Sequence, residues 1–82
     1  MYEYDELKER LQKEVLTVDF QKQNGQRRTM VCTLIPSYLP PPKAGAVPMP
    51  INTEVMTVWD IETGAWRRFR LDSIFTVFNI VE

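Results

Sequence analysis

Histidine is missing from the 82-residue chain. That removes the commonest general base, the usual activator of Ser and Cys nucleophiles, and the commonest metal ligand. A single cysteine, Cys32, excludes an intramolecular disulfide, and without histidine it forms neither a zinc site nor a Cys-His dyad. A reducing compartment is expected. The three glycines are scattered among turns and loops and build no phosphate-cradling motif. No apolar run approaches the roughly 20 residues needed to cross a bilayer. The N-terminal MYEYDELKERLQKE has neither the apolar stretch nor the cleavage site of a signal peptide. An excess of either charge is lacking too: ten Lys and Arg against eleven Asp and Glu leave a net charge of −1, which argues against whole-surface attraction to nucleic acid or an anionic membrane. The expectation is a non-enzymatic protein with no cofactor, no metal and no membrane association, located in the cytoplasm.

What is present is enough to fold. Hydrophobic residues make up 44% and charged residues 26% of the chain, with the charges balanced in sign, so it is not a disordered polyelectrolyte. Its length allows one domain with a thin core, here 1–82.

Residues 1–14 predict a short N-terminal α-helix, with Tyr4, Leu7 and Leu11 on one stripe and acidic residues at its start. From Val15 the period changes to two, and residues 15–35 predict a β-hairpin around Gln23-Asn24-Gly25. A two-residue turn at Asn24-Gly25 would set Val18 opposite Val31 and leave Met30 and Cys32 on the polar side. A three-residue turn ending in a left-handed glycine bulge sets Val18 opposite Met30 and Leu16 opposite Cys32, giving one apolar face, and is the expected form. All six prolines fall between Pro36 and Pro50, so residues 36–53 predict a long, semi-rigid Pro-rich loop, with Tyr38 and Leu39 folding back on the body. Residues 54–71 predict a second hairpin. The same bulged-turn argument at Glu62-Thr63-Gly64 places Val55, Thr57, Trp59 and Ile61 in the core with Ala65, Phe69 and Leu71. The apolar segment 74–81 predicts a buried last strand. The fold class is therefore mainly β: a small five-stranded antiparallel β-barrel, since curling resolves the exposed-edge problem of so small a sheet.

QRRTMVCTLIPSYLP and TVWDIETGAWRRFRLDSI resemble a family of small proteins, found largely in tailed bacteriophages, described as WYL-related with an Sm-like barrel fold. The match runs from about Val15 to Ile74, although the chain has no Trp-Tyr-Leu tripeptide. The resemblance implies a five-stranded Sm-like or SH3-like antiparallel β-barrel with an N-terminal helix, a phage accessory protein and the cytoplasm of the infected host cell. It supplies no catalytic residues. True WYL domains are regarded as ligand sensors, often for nucleic acid or nucleotides.

One basic-aromatic face stands out. In the register expected for the second hairpin, Trp66, Arg68 and Arg70 lie on the side away from Trp59 and Phe69, with Arg67 beside them and Arg27 and Arg28 near the other hairpin tip. Two kinds of reading are open. The helix or the Pro-rich loop covers Trp66 while the arginines pair with surface carboxylates; Asp60, Glu62 and Asp72 flank turns and are expected to be solvated. Or the face binds, either single-stranded nucleic acid, with guanidiniums on phosphates and Trp66 on a base, or a host protein, for which the same residue types serve as hot spots. Cys32 is expected to be a plain core residue. A monomer or small homo-oligomer is expected.

Overall fold

The computed structural model describes residues 2–41 and 51–79. Helix α1 (Tyr4–Lys13) is followed by strands β1 (Leu16–Gln21), β2 (Arg27–Thr33), β3 (Val55–Asp60), β4 (Ala65–Arg70) and β5 (Ile74–Phe78), with single 3₁₀ turns at Pro36–Tyr38 and Leu71–Ser73. The strands form one antiparallel sheet in the order β4-β3-β2-β1-β5. Residues 42–50 of the expected Pro-rich loop and 80–81 of the expected last strand lie outside the described residues.

Helix α1 has Asp5 and Glu6 in its first turn and Arg10 and Lys13 in its last, each sign at the end of the dipole it favours. Its buried stripe is Leu7 and Leu11, packed in the same core as Leu16, Val18, Met30 and Cys32. Each buried leucine contributes about 1.5–3 kcal/mol of apolar burial, without which ten residues would not hold as a helix. The last turn is tied to the end of β2: the Leu34 amide donates to the Leu11 carbonyl, and the buried Thr33 hydroxyl lies 3.1 Å and 3.0 Å from the carbonyls of Leu11 and Glu14. Helix-end carbonyls left without intrahelical partners are satisfied there.

The first hairpin closes as expected. Leu16 opposes Cys32 and Val18 opposes Met30. Lys22 and Gln26 bracket the three-residue turn, the Asn24 side chain accepts the Gln26 amide, and Gly25 takes φ +88°, a conformation that costs a residue with a Cβ.

The second hairpin departs from expectation. Its turn has four residues, Ile61 to Gly64, with Asp60 opposite Ala65 and Gly64 at φ +65°. The cause is Asp60. Its Oδ1 accepts the amides of Glu62 and Thr63, and its carbonyl accepts that of Gly64, so Asp60 must be the last strand residue. One extra turn residue exchanges the faces of β3. Met56, Val58 and Asp60 are buried with Phe69 and Leu71, whereas Thr57 is exposed and Val55, Trp59 and Ile61 are only partly covered.

Strand β1 is buried on both faces along Leu16–Phe20, because β2 and β5 flank it and the sheet curls over it. The curl brings Phe20 of β1 onto Phe69 of β4, centroids 5.2 Å apart and rings 27° from parallel. Strand β5 is a sheet edge with Phe75 and Phe78 nearly half exposed, not the buried strand expected. Its outer side is partly closed, since the Val77 amide donates to the Tyr2 hydroxyl. Tyr38 is also about half exposed, so it does not fold back as expected, whereas Leu39 is partly buried.

Candidate functional site

Among the described residues, a cleft of about 700 Å³ opens where the tip of the first hairpin faces β4. Phe20 and Phe69 form its floor. Lys22 and Arg28 come from the first hairpin, and Arg67, Arg68 and Arg70 from β4. Strand β4 is the other edge of the sheet, paired on one side only, so residues pointing to either of its faces can reach the cleft. Half of the ten basic residues in a chain of net charge −1 thus line one cleft, and none of the described acidic residues lines it. Cationic side chains brought together in a concave surface focus the local potential even when the whole protein is nearly neutral.

The five cations are not equivalent. Arg28 donates to Asp60 Oδ2 at 2.9 Å, and Arg67 Nε lies 4.0 Å from the same oxygen. Asp60 is only 1% exposed, which corrects the expectation that it is a solvated turn residue. Arg70 forms a two-pronged pair with exposed Asp72, at 3.0 Å and 2.9 Å. That pair raises the Arg70 pKa and lowers that of Asp72, chiefly through the hydrogen bonds between them. Arg68 and Lys22 have no ion pair among the described residues.

The six residues singled out from the sequence are therefore divided. Arg28, Arg67, Arg68 and Arg70 meet at the cleft. Arg27 does not. It points to the outer face of the sheet, where its guanidinium grips Asp19 through both carboxylate oxygens and lies over the Phe75 ring, 4.7 Å from the centroid. The Asp19 carboxyl is thereby held below its ordinary pKa, mainly by the hydrogen bonds from Arg27.

Trp66 lies outside the cleft. The four-residue turn places it opposite Trp59, and the two rings meet edge to face, centroids 5.4 Å apart. The sequence-based register had put these tryptophans on opposite faces. At 46% exposure Trp66 is part covered, with Trp59 against one side of it, and part open to solvent. It heads a row with Arg68 and Arg70 along the outer face of β4, successive members about 6.6 Å apart by strand geometry.

Sequence reasoning missed Lys22, Phe20 and the buried role of Asp60. Aspartate at the start of a turn that ends in glycine was the legible signal for Asp60. Phe20 and Lys22 had no such signal, because their place in the cleft depends on the curl of the sheet. Cys32 is fully buried, and desolvation with the nearby Asp60 charge pushes its thiol up to about 12. No group of three or more potential metal-ligating side chains forms, and no helix is long and apolar enough to cross a membrane, among the described residues.

Comparison with known proteins agrees with this architecture. The family profile described as WYL_2, Sm-like SH3 beta-barrel fold, matches residues 4–75. A protein of Enterobacteria phage T4, the "Uncharacterized 11.5 kDa protein in Gp31-cd intergenic region", is 34% identical over 74 residues, covering 87% of this chain and 72% of the relative. No solved structure matches the chain. With the match spanning the helix and four of the five strands, the chain belongs to the WYL_2 family of Sm-like SH3 β-barrels.

Proposed function

We propose that the protein is a non-enzymatic small-barrel binding module that holds single-stranded nucleic acid along β4, as an accessory factor of phage nucleic-acid metabolism in the host cytoplasm. The observation that carries this reading is the gathering of half of the chain's basic residues around one cleft. Guanidiniums suit phosphate because they present several donors in one plane. Trp66, half exposed at the head of the row with Arg68 and Arg70, offers an aromatic surface on which a base can stack.

The test is titration of labelled single-stranded DNA and RNA oligonucleotides at several salt concentrations. Binding that weakens linearly in log–log form as salt rises supports the reading, because phosphate neutralisation releases counterions. Salt-independent binding, or none, sinks it. The reading as a host-protein docking module rests on a different observation, the half-exposed Phe75 and Phe78 of β5, since aromatics are enriched at interface cores.

A further inference from the structure

Asp60 is a buried carboxylate facing a cleft built of cations, and the binding proposal above leaves it without a role. It sits on β3, between β2 and β4 in the sheet. Its two oxygens divide their work. Oδ1 caps the hairpin turn through the amides of Glu62 and Thr63. Oδ2 faces the arginines, at 2.9 Å from Arg28 Nη2 and 4.0 Å from Arg67 Nε. Those arginines come from strands that do not pair with each other, and both line the cleft, whereas Asp60 does not.

Capping the turn does not by itself need a charge. An asparagine side-chain oxygen accepts the same two amide hydrogens, and a neutral group avoids the cost of burying a carboxylate. The charge is needed at Oδ2. Two guanidiniums brought to one wall repel each other, and long arginine side chains lose rotamer freedom when held in place. A shared anion behind them offsets both effects while leaving most of their donors unused.

We infer that Asp60 is a positioning residue for phosphate: it holds the guanidiniums of Arg28 and Arg67 in the cleft wall so that one phosphate of the bound strand is taken between them. This rests on the reading of the cleft as a nucleic-acid site. The site then has two parts, a pre-set pair at Arg28 and Arg67 and, in the same cleft, Arg68 and Lys22, which have no ion pair among the described residues.

The inference makes a prediction opposite in sign to that of charge alone. Asp60→Asn removes a negative charge next to the cleft, so if only net charge matters the variant binds oligonucleotide more tightly than wild type. If Asp60 positions the pair, Asp60→Asn binds roughly 3- to 10-fold more weakly at fixed salt, and the loss is smaller in an Arg28→Gln background, where only the longer contact with Arg67 is left to break. The experiment is the salt-dependent titration of a single-stranded oligonucleotide with wild type, Asp60→Asn, Arg28→Gln and the double variant, with thermal unfolding of each. Should Asp60→Asn fail to fold, Arg28→Lys replaces it. That variant keeps the charge and loses the planar fork, and is expected to weaken binding with an unchanged salt slope. Equal or tighter binding by folded Asp60→Asn, or by Arg28→Lys where it stands in, overturns the inference while leaving the nucleic-acid reading intact. A wild type without salt-dependent binding overturns both.

Discussion

Phe20 and Phe69 stack at 5.2 Å although their strands, β1 and β4, are separated in the sheet by β2 and β3. The contact is what turns a five-stranded sheet into a barrel-like body, and its upper side is the floor of the cleft. Phe69→Ala is expected to cost about 3–5 kcal/mol, the range for truncating a buried phenylalanine. In a double-mutant cycle with Phe20→Ala, the pair should show a coupling of roughly 0.5–1.5 kcal/mol. Urea denaturation of the four proteins measures both, and additive losses would mean that the rings do not support each other.

The stacking and charge components of binding should separate in two variants. Trp66→Ala should weaken oligonucleotide binding by about 1–3 kcal/mol with little change in salt slope. It should also fold, because Trp66 is half exposed. Arg68→Gln should reduce the magnitude of the slope by about 0.7, the value for one phosphate contact on a single strand. An unfolded Trp66→Ala would show instead that its contact with Trp59 is structural.

Asp19 and Arg27 make stability depend on pH. Hydrogen bonds from Arg27 lower the Asp19 pKa from its ordinary 3.8, so the folded state binds fewer protons than the unfolded state in that range. The stabilisation is fully present above 3.8 and is lost as pH falls through the lower folded value. Asp72 beside Arg70 acts in the same direction. Asp19→Asn should therefore be less stable than wild type at neutral pH, with the gap narrowing in acid. Denaturation curves at pH 7 and pH 3 test this, and a constant gap would refute it.

Cys32 should be unreactive in the folded protein. Burial and the Asp60 charge raise its thiol to about 12, so almost no thiolate is present at neutral pH. Slow labelling by a thiol reagent in native buffer and fast labelling in denaturant are expected. Fast native labelling would show that the core opens around β2.

Much of this protein is written locally. The period of Leu7 and Leu11 defines α1, and the turn Gln23-Asn24-Gly25 together with the apolar positions on either side defines the first hairpin and its register. The lack of histidine and the single cysteine exclude the commonest catalytic and metal chemistries whatever the fold. In the second hairpin the local pattern was ambiguous, because Val55, Met56, Val58 and Trp59 let either face of β3 be apolar. The carboxylate of Asp60 settled it by capping a turn one residue longer, which put Trp59 and Trp66 on the same outer face. The candidate site belongs to the tertiary structure for a similar reason. Neighbours in sequence, Arg27 and Arg28, point to opposite faces of β2, one toward Asp19 and Phe75 and the other toward Asp60 and the cleft. Arg28 and Arg67 come within reach of one carboxylate only because β3 lies between their strands, and no spacing along the chain encodes that distance.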